Sequence, residues 1–236
     1  MPDVGARGVR VDKLIDELRR LADPGRLAGM ARYGIATDTA LGITVTELRA
    51  LARRVGRDHE LAAALWDTRI HEARMLATMV DDPARVTEAQ METLVRDLAS
   101  WDLCDGLCGN LLDRTPFAFA KAVEWSSRDE EFVKRAGFAL MAWSAVHRKD
   151  ADDERFEMFL PVIRAEAMDD RNYVKKAVSW ALRQIGKRSP RLHAQAIATA
   201  EEIRELDSRT ARWIASDVLR ELTSDAVRER LAARSR

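Results

Sequence analysis

Apolar residues recur along the chain at spacings of three and four among charged ones, and no stretch alternates with period two as a strand would. Leu14, Ile15, Leu18 and Leu21 place an amphipathic helix over 11–21, ended by Asp23-Pro24-Gly25. Residues 26–39 read as a short helix followed by a loop. Thr44-Val-Thr-Glu47 is a capping box opening a helix through Arg54 with Leu48, Leu51, Ala52 and Val55 inward, stopped by Gly56. Two more helices, 60–67 and 70–80, follow and are broken by Asp81-Asp82-Pro83.

Thr87 and Gln90 repeat the capping-box pattern for a helix through Leu98, and Ser100 is placed to cap another from Trp101 toward Leu112. Pro116 precedes a short apolar helix over 117–125. A long one over 129–147 carries Phe132, Ala136, Ala139, Leu140 and Trp143. Residues 152–168 form a helix bent at Pro161, and a basic helix around Trp180 closes at Gly186 and Pro190. Helices over 193–204 and 208–222 and a polar tail, 224–236, complete the chain. Many short helices with short connectors predict an all-α fold, an α-α superhelix (solenoid) of helical hairpins, in preference to an irregular helical bundle. One domain over 1–236 is expected.

Charge changes the picture little at first: 39 basic and 39 acidic residues balance, so no global field draws the chain to a polyanion. Any anion-binding face must arise by local segregation. The two cysteines, Cys104 and Cys108, suit reduced thiols better than a disulfide framework, and with four scattered histidines they give no zinc-ligand spacing. No metal and no cofactor is expected. The N-terminus has no apolar core of a signal peptide and no stretch approaches a membrane span, so the sequence reads as a soluble, cytoplasmic protein, expected to be a monomer.

Candidate chemistry sits in Ser100-Trp-Asp-Leu-Cys-Asp105, where Trp101 and Asp105 stand at i and i+4 and share a helical face. The plainer reading of Asp105 is a solvated carboxylate paired with a nearby base. The second candidate is the run from Arg171 to Arg191, with seven basic residues and no acid. A charge run is usually just a solvated face. Here Lys176, Trp180, Arg183 and Lys187 fall on one helical face, as a phosphate-gripping surface requires, while Lys175 and Arg188 point elsewhere. Trp66, Trp125, Trp143 and Trp213 are assigned to the core.

Several segments together carry a family resemblance: Met30-Ala-Arg-Tyr33, Leu41-Gly-Ile43 with Glu47 and Arg49, Leu65-Trp66-Asp67, Ser100 to Asp105, Lys134-Arg135-Ala136, and Val174 to Arg183. From about residue 30 to 190 the chain resembles the DNA alkylation repair enzymes of the AlkD kind, alkylpurine DNA glycosylases built from HEAT-like helical repeats. The resemblance implies that Trp101, Asp105 and Trp180 match the family's catalytic constellation. It also implies that Arg49, Arg135 and Arg183 stand at DNA-facing basic positions, with Tyr33 near the same surface. The implied partner is double-stranded DNA carrying alkylated purines, and the implied task is base excision repair.

Excision of an N3- or N7-alkylated purine breaks an N-glycosidic bond whose leaving group is already cationic. No acid need protonate the base, but the oxocarbenium-like sugar must be stabilised, for which a carboxylate is the right group. Tryptophan faces attract the same positive charge. The resemblance further implies that the base need not be enclosed in a pocket, unlike in base-flipping glycosylases. The alternative from a different class is a catalytically silent helical-repeat module that binds DNA structures or protein partners.

Overall fold

The computed structural model describes residues 4–234; the outermost residues of the N-terminal segment and of the polar tail lie outside it. Among the described residues there are helices and no strand, as the periodicity requires. No helix among them is long and apolar enough to cross a membrane. Contacts divide the chain into two compact units, one of residues 1–91 with 98–111 and one of residues 92–97 with 112–236.

The first unit holds α1 (Val4–Leu21), α2 (Leu27–Arg32), α3 (Val45–Val55), α4 (His59–Asp67) and α5 (His71–Val80). It also takes the start of α6 (Glu88–Arg96) and all of α7 (Trp101–Asn110). The Thr44 capping box forms as expected: Glu47 N donates to Thr44 Oγ1 at 3.3 Å and Thr44 N to Glu47 Oε2 at 2.9 Å. The second box is half made, because Gln90 N reaches Thr87 Oγ1 while the Gln90 side chain donates instead to Asp81.

Helix α5 is the centre of this unit, packed against α3, α4 and α7 and buried along nearly its whole length. Its polar residues are therefore all partnered, as burial demands. Glu72 accepts backbone N–H bonds from Leu41 at 2.7 Å, Gly42 at 2.8 Å and Ile43 at 3.3 Å, which ties the 41–43 loop to the core. Only glycine fits at 42, where φ is +81° and a Cβ would stand 2.1 Å from the Asp23 carbonyl. Arg74 donates through Nε to the Trp66 carbonyl and lies over the Trp66 ring, and Thr78 bonds Met75 O and Asn110.

The second unit takes the end of α6, then α8 (Ala118–Ser126), α9 (Glu131–His147), α10 (Glu154–Glu157), α11 (Phe159–Ala165) and α12 (Asn172–Gly186). Helices α13 (Pro190–Arg204), α14 (Arg209–Leu222) and α15 (Asp225–Arg234) complete it. The helix expected over 152–168 is two pieces, parted at Met158. Pro161 has no N–H and its ring would strike the Glu157 carbonyl, so it is tolerated only in the first turn of a new helix. The polar tail is helical over Asp225–Arg234, with Val227 and Leu231 buried four apart on one face.

Helix α9 is the core of this unit, packed between α8 and α12. Its approach to α8 rests on Gly137, where a Cβ would lie 2.5 Å from Ser126 N and 2.9 Å from Ala122 O. Buried lysines are paired: Lys134 with Glu166 at 2.7 Å and Asp169 at 3.3 Å, Lys121 with Glu92 at 3.0 Å and Glu124 at 2.8 Å. Glu92 also accepts from Trp125 Nε1 at 2.7 Å.

Candidate nucleic-acid-processing residues and their surroundings

In the first unit, α7 buries Leu103, Cys104, Leu107 and Cys108 and leaves Trp101, Asp102 and Asp105 half-buried on the opposite side. The i, i+4 reading of Trp101 and Asp105 therefore corresponds to a real outward face. Trp101 is fixed by its indole Nε1, which donates to the Tyr33 carbonyl at 2.9 Å. Tyr33 closes α2 and is 75% exposed. Arg49 is exposed on α3.

Ser100 stands at the N-cap of α7 but makes no side-chain cap there. Its hydroxyl donates to Asp102, which sequence reasoning passed over in favour of Asp105. Asp102 also meets His71 Nε2 at 2.9 Å. Burial alone would lower the His71 pKa, but the bond to Asp102 and the charges of Asp102 and Glu72 outweigh it and hold it above the ordinary histidine value. Burial would raise that of Asp102, and the His71 and Ser100 bonds bring it below the usual carboxylate range. The pair lines a cavity of about 210 Å³ whose walls include Met30, Ile35, Ile43 and Met75.

In the second unit, Trp180 is half-buried on α12 and meets Trp143 edge-on, with centroids 5.4 Å apart and planes at 88°. Trp66 and Trp125 are core residues as expected, but two tryptophans assigned to the core are not. Trp143 is half-buried beside Trp180, and Trp213 is 41% exposed with Lys175 Nζ 5.6 Å from its ring centroid. Trp213 lies at the exposed start of α14, which an apolar stripe alone does not reveal.

The expected basic face on α12 is largely neutralised from within. Helices α12 and α14 meet along one seam: Lys175 at Trp213, Ser179 at Asp217, Arg183 at Asp217 and Glu221, Lys187 at Glu221. Each step advances about four residues on both helices, so the two run parallel. Burial would raise the Glu221 pKa, but the Lys187 and Arg183 bonds hold it below the ordinary glutamate value. Of the predicted phosphate-binding residues here, Lys176 is the exposed one. Arg135, expected at a DNA-facing position, is only 6% exposed and donates through Nη1 to the Tyr173 carbonyl at 2.7 Å. It joins α9 to the start of α12 because the residues around it, Val133 to Met141, are all interior.

The fold is that of an all-helical protein of the HEAT-like repeat class. Its overall likeness to a solved structure described as "a new family of proteins related to the HEAT-like repeat DNA glycosylases with affinity for branched DNA structures" has a TM-score of 0.75. The likeness covers 89% of this chain and 95% of that one, at 19% identity. No curated protein matches the sequence. The profile of the DNA alkylation repair enzymes matches residues 14–226, and the chain belongs to that family.

Proposed function

We propose that this protein is an alkylpurine DNA glycosylase that removes cationic N3- or N7-alkylated purines from duplex DNA. The observation that carries the reading is the outward face of α7, where Asp105 shares a side with an indole locked through its N–H to the Tyr33 carbonyl. A carboxylate beside a developing oxocarbenium stabilises it without a proton transfer, and a fixed indole face adds attraction for positive charge at no reorganisation cost. Trp180 supplies a further π-face for the cationic base. Asp102, on the same helix, is engaged by His71 and Ser100.

Arg49 and Tyr33 from the first unit and Lys176 from the second are the exposed residues suited to the DNA backbone. Arg135 acts indirectly, by holding α9 to α12. The experiment is direct: the purified chain, incubated with a duplex carrying a single N7-methylguanine, releases free base and leaves an alkali-cleavable abasic site. Tight duplex binding with the methylated base left intact sinks the enzyme reading.

A second reading is favoured by one observation, the engagement of Arg183 and Lys187 by Asp217 and Glu221, which reduces the charge available to a duplex. In that reading the chain is a catalytically silent module for DNA structures, as the solved relative's affinity for branched DNA suggests. Competition between a four-way junction and a linear duplex of the same length separates the two.

A further inference from the structure

The tryptophan pair of the second unit is tied to a carboxylate that the proposed chemistry does not use. Asp113, in the short turn Leu112–Arg114 between α7 and α8, is fully buried. Its Oδ2 meets His147 Nδ1 at 2.5 Å, while Oδ1 is buried with no hydrogen-bond partner and has Arg114 Nε 4.0 Å away. Burial raises the pKa of this carboxyl, against the opposing effect of the His147 bond.

His147 is the last residue of α9 and its ring stacks on that of Trp143, one turn earlier, with centroids 4.9 Å apart and planes at 21°. Trp143 in turn presents its ring at right angles to Trp180. With its amide oriented to satisfy its neighbours, Gln184 accepts from Trp180 Nε1 at 3.1 Å and from Lys187 Nζ at 3.2 Å, holding the N–H edge of the same indole. Four side chains thus lie in series: Asp113, His147, Trp143, Trp180.

A histidine at a helix end is ordinarily free to change rotamer. Bonded through Nδ1 to a carboxylate fixed in the core, this one has a single orientation, flat against Trp143. Trp143 is half-buried, and the imidazole covers one of its faces. A buried oxygen without a partner is costly to keep, and the cost is explained if Asp113 is retained for what it orients.

We propose that Asp113 and His147 are positioning residues for Trp180, setting through Trp143 the orientation in which that indole meets a cationic nucleobase. The ligand chemistry rests on the function proposed above, whereas the side-chain series does not. His147 meets Asp113 and, on its own helix, Trp143, and Arg148 Nη1 donates to the Asp113 carbonyl at 3.4 Å.

The test uses the full chain with His147→Gln, Asp113→Asn and Trp180→Phe. Gln at 147 keeps an amide able to bond Asp113 but has no ring to stack. The near-ultraviolet circular dichroism that Trp180→Phe removes from the parent reports the Trp143 and Trp180 pair, and His147→Gln is expected to reduce it by about half or more. Quenching by 7-methylguanosine is expected to need about threefold more probe in the same variant. If His147→Gln lowers the melting temperature but leaves the Trp180 signal and the probe titration unchanged, the histidine is only structural and the proposal is overturned. Should Asp113→Asn fail to fold, His147→Gln still decides. A parent protein that releases no methylated base yet needs His147 for the Trp180 signal loses its proposed function and keeps the positioning series. Base release with a Trp180 signal indifferent to His147 does the reverse.

Discussion

The guanidinium of Arg183 on α12 is held by two carboxylates of α14: Nη1 bonds Glu221 and Nε lies 3.4 Å from Asp217. Glu221 bonds Lys187 as well. A phosphate approaching this part of α12 must therefore displace an acid that is already in place. Glu221→Gln removes the negative charge that Arg183 and Lys187 share while keeping the shape of the side chain, and leaves Asp217 beside Arg183. Duplex affinity is expected to rise by about threefold or more near 0.1 M salt, with a salt dependence steeper by about one contact. Lys176→Ala is expected to weaken binding and flatten that dependence by a similar amount. Unchanged affinity in Glu221→Gln would exclude this part of α12 from the DNA-binding surface.

Packing of α8 on α9 gives a prediction about stability alone. A Cβ at position 137 meets backbone atoms of Ser126 and Ala122, which cannot move aside as a flexible side chain would. Gly137→Ala is expected to cost about 2 kcal/mol despite the better helix propensity of alanine. Urea unfolding followed by helical circular dichroism measures it. A stability equal to the parent's would mean that the two helices separate at no cost.

What could be read from the sequence was what short spacing determines. The Thr44 capping box, the stop at Gly56 and the shared face of Trp101 and Asp105 all depend on residues within two turns of each other. Partners far along the chain were not legible. Glu221 stands 38 residues from Arg183, and Asp113 stands 34 from His147. The basic run around Trp180 therefore reads as a bare positive face until α14 is laid beside it. The misassignment of Trp143 and Trp213 has the same source, since period shows which residues share a face but not whether a neighbour covers it. His147, four after Trp143, was visible as a stacking partner and would have flagged that indole.

The buried pair of His71 and Asp102 makes stability depend on pH. His71 has a folded pKa raised above its ordinary 6.5, so its contribution is complete below that value and is lost as pH rises through the folded pKa. Asp102 is depressed below its ordinary 3.8, so its contribution is complete above that value and is lost as pH falls through the folded pKa. The pair thus stabilises most between the two. His71→Gln keeps a donor for Asp102 but does not titrate. The stability difference between parent and variant is expected to be largest at about pH 5 to 6 and to shrink toward about pH 8. A difference that grows with pH would mean that His71 is neutral in the folded protein.

Two aspartates three residues apart on α7 are expected to fail in opposite ways. Asp102 is committed to His71 and Ser100, so Asp102→Asn leaves a buried imidazole without its counter-charge and is expected to cost about 3 kcal/mol of stability. The rate of base release per folded molecule should stay near the parent's. Asp105 lies on the half-exposed side, and Asp105→Asn keeps its size while deleting its charge. It is expected to leave duplex affinity nearly unchanged and to lower the single-turnover release of N7-methylguanine by about tenfold or more, or ~1.4 kcal/mol of transition-state stabilisation. Trp180→Ala should lose less, about 1 kcal/mol, because an indole face attracts positive charge more weakly than a carboxylate does. Single-turnover assays on stoichiometrically bound duplex, paired with urea unfolding of each variant, distinguish the outcomes. If Asp105→Asn is as active as the parent while Asp102→Asn is folded and inactive, the charge that faces the sugar belongs to Asp102, and its bond to His71 becomes part of the chemistry.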